Sequence, residues 1–308
     1  VGALVAFAVV VALTPFVRRG ARAFGVVDHP GPLKVQREPV PYLGGVAVFG
    51  ALTLVVAPWH PALLLPLGLA TALGIADDVR QISPRARLAA QILIGAVAGV
   101  VAPAPVRFGG VVTAALVVVL VNAVNLIDGM DALASCVVLV SALGFGILGG
   151  DARILALAVV GALLGFLVFN RPPARIYLGD GGAYLLGTAV ALMAACAPEH
   201  HPVAWLALPL LVALPVADSG IAIVRRVRAG RSPLAGDRSH VYDQLADRGW
   251  SIPRVVAVCV LAQGAATAVG MAVWHVDAAV AAVIVTVSGV LALALVWKAG
   301  FLSAAVAS

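Results

Sequence analysis

The sequence predicts an all-α, polytopic integral membrane protein with about 10–11 transmembrane helices. Of its 308 residues, 62% are hydrophobic and 11% are charged. Mean hydropathy is +1.08, a composition outside the range of soluble globular domains. Apolar runs of near-membrane length recur from end to end. They are continuous rather than alternating, which argues against a transmembrane barrel.

The expected spans fall at about 1–17, 44–58, 61–76, 88–103, 110–127, 132–149, 153–169, 181–198, 202–224, 254–275 and 277–297. The first is followed by Arg18-Arg19 and not by a small-residue cleavage site, so it reads as a retained span. The second opens after Pro39 and Pro41, each of which disfavours helix at the residue before it. Gly44-Gly45 at its start permits a turn or a close backbone approach. The third ends on Asp77-Asp78, and the fourth follows Arg85 and Arg87. The fifth runs into a polar block, Asn122 to Asp131. The sixth and seventh are divided by Gly149-Gly150-Asp151, and the eighth begins beside Asp180. The ninth leads into a basic loop at about 225–253. The last two are parted by little more than Val276, so one long broken helix is an alternative. The 32 glycines and many alanines suit close helix packing in lipid.

Alternating loops orient the chain by the excess of basic residues on the cytoplasmic side. All Lys and Arg residues except Arg107 and Arg153 fall on one side. The expected arrangement is an outside amino terminus, a cytoplasmic carboxyl terminus and a single integral domain over 1–308 in the inner membrane. The outer loops are tiny, which disfavours a receptor or adhesin. Cys136, Cys196 and Cys259 lie in apolar runs without paired spacing, as buried small hydrophobes do.

Five aspartates carry the functional reading: Asp77, Asp78, Asp128, Asp131 and Asp180. Each sits at the end of an apolar stretch on the arginine-rich side. A carboxylate at a membrane helix centre costs roughly 2.5–3.5 kcal/mol on insertion scales and marks function. Brought together, they repel one another unless a cation lies among them. Adjacent Asp77 and Asp78 suit joint binding of a divalent ion, or one binds while the other orients substrate. Arg85 and Arg87 follow, with the chemistry for a phosphate; an Asp–Arg network is the bland alternative. Asn122, Asn125, Asp128 and Asp131 recur at i, i+3 and share one face if the turn stays helical. Interhelical glue explains the asparagines equally well. Glycines flank Asp180, and the helix after it offers free amides to an anion. Lys34 and Arg37 in the first loop are further phosphate contacts, or else basic charge at the lipid surface. Arg238 and His240 lie in a stretch richer in hydrogen-bonding groups than lipid attraction requires.

In order, the blocks P-V-P-Y-L-G-G, D-D, N-A-V-N-L-I-D-G-M-D, N-R-P-P-A-R-I-Y-L-G-D and G-D-R-S-H resemble the polyprenyl-phosphate N-acetylhexosamine-1-phosphate transferase family over residues 30 to 250. The resemblance implies transfer of a sugar 1-phosphate from a UDP-sugar to polyprenyl phosphate, with release of UMP. It implies Asp77, Asp78, Asp128 and Asp180 as catalytic residues, with Asp180 and Asp128 on Mg²⁺ (Mn²⁺ as the alternative ion). Asn122, Asn125, Asp131, Asn170, Arg238 and His240 would then serve nucleotide and sugar, and Lys34, Arg37, Arg85 and Arg87 the lipid phosphate. A homodimer and no nucleic-acid partner are also implied. The P-Y-L-G-G block is closer to the N-acetylglucosamine branch than to the phospho-N-acetylmuramoyl-pentapeptide branch. His240-Val241-Tyr242-Asp243 departs from the family's H-x-H-H, which leaves the sugar open. A secondary transporter is the rival from another class. It would carry its charges at mid-membrane and show an internal repeat.

Overall fold

The computed structural model describes residues 1–30, 38–102, 109–197, 202–232 and 239–303. Helix α1 (Gly2–Ala23) is followed by a short antiparallel pair, β1 (Val27–Asp28) with β2 (Val40–Pro41). Then come α2 (Gly44–Val56), a 3₁₀ turn (Pro61–Leu63) leading into α3 (Leu64–Arg80), α4 (Pro84–Val101) and α5 (Gly109–Ile127). They are followed by α6 (Leu133–Leu148), α7 (Ala152–Asn170) and α8 (Gly179–Ala195). A short α9 (Ala204–Ala207), a 3₁₀ stretch (Leu208–Val212) and α10 (Ala213–Arg228) form the next span. The last helices are α11 (Val241–Asp247), α12 (Ile252–Val273) and α13 (Ala278–Lys298). Each expected span coincides with helix. Among the described residues, 8 helices are long and apolar enough to cross a membrane, while α2 and α6 are apolar but shorter. The protein is a multi-pass membrane protein.

Helix α8 is the central post. Every residue in it except Asp180 is buried, and α3, α5, α2, α7 and α6 surround it. Its sequence, GDGGAYLLGTAVALMAA, is small on several faces, which lets backbones meet. A methyl added to Gly45 would overlap the backbone of Gly182, and one on Gly74 would overlap that of Asp180. Helix α13 is the opposite case: Ala281 is its one buried residue among those described, and its Leu and Val side chains face outward, as a lipid-facing helix requires.

The break between α9 and α10 has a defined cause. Pro215 has no amide to give the carbonyl of Leu211, which would be left without its helical partner. Buried Gln263 of α12 supplies the missing group: its Nε2 donates to Leu211 O at 3.0 Å, and its Oε1 accepts from Leu214 N at 2.9 Å. An unsatisfied carbonyl in hydrocarbon costs several kcal/mol, so this glutamine permits the bend. Helices α12 and α13 are separate, and Asp277 caps α13 by accepting from the amides of Ala279 and Val280 at 2.9 and 3.1 Å. Cys196 and Cys259 are buried, Cys136 is partly so, and all three are free thiols.

Candidate active site

The C-terminal ends of α3, α5 and α7 meet the N-terminal end of α8, and the aspartates gather there. Asp78 of α3 reaches the start of α8. Its Oδ1 accepts from Asp180 N at 3.0 Å and its Oδ2 from Gly181 N at 3.2 Å. The carboxylate thus caps α8 and complements the positive end of its dipole. The sequence reading left those amides free for an external anion; the side chain of Asp78 occupies them instead. Gly179, at φ +73, lies against this carboxylate, and a Cβ there would come within 2.8 Å of Asp78 Oδ2. Asn125 of α5 donates its Nδ2 to Asp180 Oδ1 at 2.6 Å.

Asp77, next in sequence to Asp78, turns elsewhere. It accepts from Tyr184 Oη at 2.6 Å, Arg87 Nη1 at 3.0 Å and Ile82 N at 2.8 Å. The two neighbours bond differently: Asp78 caps α8, while Asp77 ties α3 to α4 and α8 and stays within reach of the Asp180 carboxylate. Arg87 is engaged in that network, while Arg85 at the start of α4 is exposed. Tyr184→Phe is expected to lower stability by about 1–3 kcal/mol, because it removes one donor from a buried carboxylate. Thermal unfolding in detergent, beside the wild type, measures it.

Helix α5 ends at Ile127, so the i, i+3 face does not continue to Asp131. Asp131 accepts from Ala174 N at 2.9 Å, and burial raises its pKa against that hydrogen bond. Asn170 clamps the same turn to the loop after α7. Its Oδ1 accepts from Ala132 N at 3.0 Å and its Nδ2 donates to Ile176 O at 3.0 Å. Asp128 lies in the turn just after α5, three residues before Asp131. Its carboxylate accepts no hydrogen bond among the described residues, and its pKa is pushed well above the ordinary range by burial and by Asp180, Asp78 and Asp131. Asn122 lies one turn before Asn125 and bridges helices, donating to Gln91 Oε1 at 2.7 Å and to Val118 O at 2.8 Å. For Asn122 the interhelical alternative describes the observed contacts.

The P-Y-L-G-G block forms one wall. Leu43 adopts φ 74, turning the chain so that Gly44 N and Gly45 N donate to Tyr177 O and Leu178 O, each at 3.0 Å. The Tyr42 and Tyr177 rings meet at a tilt of 49°, with 6.0 Å between centroids. Burial pushes the Tyr177 hydroxyl up to about 12, with Asp131 and Asp28 adding to it. Tyr42 is raised by burial and by a hydrogen bond to Asp28, with smaller contributions from Asp78 and Asp180.

His240 is buried, and Asp218 of α10 lies beside it, with Nδ1 to Oδ2 at 2.6 Å. Its ring stacks on Tyr242 at 5.7 Å and 7°. Tyr242 Oη donates to Leu126 O at 3.1 Å, two residues before Asp128. Sequence reasoning missed Asp218 and Tyr184. For Asp218 the signal was present, since a carboxylate inside an apolar helix is costly. Lys34, Arg37 and Arg238 lie outside the described residues. No group of three or more His, Cys, Asp or Glu side chains among the described residues is spaced to hold a metal by itself.

Residues 60–197 match the profile of Glycosyl transferase family 4. The chain is 32% identical to the decaprenyl-phosphate N-acetylglucosaminephosphotransferase of Mycolicibacterium smegmatis, over 83% of this chain and 78% of that protein. It is 32% identical to the phospho-N-acetylmuramoyl-pentapeptide-transferase of Moorella thermoacetica, over 78% of this chain and 86% of that protein. Identity to the undecaprenyl-phosphate alpha-N-acetylglucosaminyl 1-phosphate transferase of Escherichia coli is 26%, over 83% and 78% respectively.

Proposed function

The chain belongs to glycosyl transferase family 4, and from that membership we propose that it transfers N-acetylglucosamine 1-phosphate from UDP-N-acetylglucosamine to a polyprenyl phosphate and releases UMP. The observation that carries the reading is the convergence of three carboxylates. Asp78 is bonded to the backbone of Asp180 and Gly181, and Asp128 feels the charge of both Asp78 and Asp180. Relatives named as N-acetylglucosamine transferases favour that sugar. The Moorella relative makes the muramoyl-pentapeptide donor the second reading. The gathering of Asp78, Asp128 and Asp180 at helix ends, and not at the middle of the bundle, speaks against a transporter.

An oxygen of the lipid phosphate attacks the β-phosphorus of the donor, and the bond from that phosphorus to the oxygen bridging to the α-phosphate breaks. UMP carries away the electron pair, and the sugar keeps its phosphate in the new lipid diphosphate. A phosphate monoester with a second pKa of about 6 is largely dianionic at neutral pH. It therefore needs little help from a base. Asp77 and Asp78 already accept hydrogen bonds from the protein, which supports direct attack without a phosphoryl-aspartate. Their role is to position α8 and Asp180, with Asn125 fixing the Asp180 carboxylate.

The residues fit Mg²⁺ or Mn²⁺. Asp128 has no described hydrogen-bond partner, and Asp180, whose charge it feels, would be the second hard oxygen donor. Mg²⁺ is commonly bound by one or two carboxylates together with substrate phosphates, which suits a site lacking a closed three-ligand set. When bound, the ion would neutralise charge on the diphosphate. Exposed Arg85, and Lys34 and Arg37 of the first loop, are assigned to the lipid phosphate. Arg238 joins His240 on the nucleotide-sugar side. The basic-residue asymmetry supports a site facing the cytoplasm across the inner membrane. The assembly is proposed to be a homodimer.

Purified protein in detergent is expected to move label from UDP-N-acetylglucosamine into the lipid fraction with release of UMP. A chelator should bring this to background, and Mg²⁺ or Mn²⁺ should restore it. The donors compared are UDP-N-acetylglucosamine, UDP-N-acetylmuramoyl-pentapeptide and other UDP-N-acetylhexosamines. Label transferred from the pentapeptide donor alone selects the second reading. No lipid label from any of them overturns both.

A further inference from the structure

Asp218 lies in α10, a helix of otherwise membrane-spanning character, and is buried. Its cost there is offset by two contacts made across 22 and 23 residues of chain. Oδ2 meets His240 Nδ1 at 2.6 Å, and Oδ1 accepts from Val241 N at 2.7 Å. The His240 side chain also faces the Asp243 amide in a capping box at the start of α11; because a carboxylate only accepts, the 2.6 Å contact with Asp218 assigns the ring proton to Nδ1. Nε2 is then the one ring nitrogen left to meet a ligand. The ring cannot easily rotate away, because Tyr242 stacks on it in near-parallel fashion. Tyr242 is itself held by the carbonyl of Leu126, and its hydroxyl lies against Gly129, where any Cβ would collide with it. His240 is therefore braced from one side by α10 and from the other by the turn that carries Asp128.

We propose that Asp218 is a positioning residue for the transfer reaction: it fixes the orientation and tautomer of His240 so that Nε2 serves the diphosphate of the nucleotide-sugar donor. The inference rests on the function proposed above. At metal sites a carboxylate that orients a ligating imidazole contributes about 10–100-fold, and the same scale is expected for Asp218. A competing account is purely structural, in which Asp218 only caps α11 through the Val241 amide.

A double-mutant cycle on the full chain in detergent separates the two. Asp218→Asn and His240→Ala are each expected to lower kcat/KM for the UDP-sugar by about 10–100-fold, with KM for polyprenyl phosphate unchanged. Together they should lower it no further than His240→Ala alone, since both remove one device. Asp218→Ser, which keeps an acceptor for the Val241 amide, is the second variant should Asp218→Asn fail to give a monodisperse peak. Losses that multiply in the double variant, or an equal rise in KM for both substrates, would overturn the assignment. If the wild type transfers no sugar phosphate from any donor, the proposed function and this inference fail together. An active wild type with multiplying losses sinks the inference alone.

Discussion

Asp180→Asn is expected to reduce sugar-phosphate transfer by about 10³-fold or more while leaving the protein folded. The amide keeps an oxygen that can accept from Asn125 Nδ2, a contact of 2.6 Å in the wild type. It also keeps the backbone amide that Asp78 holds. What disappears is the negative charge, and transition-state electrostatics is commonly the largest part of phosphoryl-transfer catalysis. Asp180→Ala should be as inactive, but less stable, because Asn125 loses its acceptor at a partly buried site. Turnover is read by the labelled-donor assay and folding by thermal unfolding of the same samples. Activity of Asp180→Asn within tenfold of wild type in Mg²⁺ would remove Asp180 from its proposed place at the ion.

Asp128 and Asp78 are expected to lose activity alike and to change stability in opposite directions. Asp128 brings a charge into a half-buried site where Asp180, Asp78 and Asp131 all disfavour it, and no described group bonds its carboxylate. Asp128→Asn removes that repulsion. In chelator, without substrate, the variant should unfold higher by roughly 2–4 °C, the shift expected for about 1 kcal/mol, while transfer falls by about 10²-fold or more. Asp78→Ala removes both contacts to the amides of Asp180 and Gly181. Loss of such a cap costs about 0.5–2 kcal/mol, so the unfolding temperature should drop. A fall in the stability of Asp128→Asn would mean that Asp128 has a structural partner after all. The two melting curves, taken side by side, distinguish a carboxylate kept for a ligand from one kept for the fold.

Much of the architecture was legible in residue order. Each expected span became helix, because a run of apolar side chains long enough to satisfy its own backbone in lipid has few other options. The acids at the ends of these runs pointed to one face, and Asp78, Asp128 and Asp180 do come together there. Gly44-Gly45 suggested a close approach, and both amides meet the loop just before α8. The i, i+3 row was only partly correct. It assumed that α5 continues past Ile127, whereas the chain turns there and sends Asp131 to Ala174.

Tertiary structure alone decided what each polar group does. Asp77 and Asp78 are adjacent and chemically identical, yet one joins Tyr184 and Arg87 and the other caps α8. Successive helical residues point in directions about 100° apart, so partner helices, and not residue type, divided their roles. Asn122 and Asn125 look alike in sequence, but one braces Gln91 and the other Asp180. Asp218 finds His240 across 22 residues, a separation that no local pattern encodes. Sequence by itself determined the number of crossings to look for, the class of chemistry and the end of the bundle that carries it, because hydrophobic length and charge cost are properties of the chain. Assignment of acceptors to donors depends on which helices become neighbours, and only the packed bundle decided that.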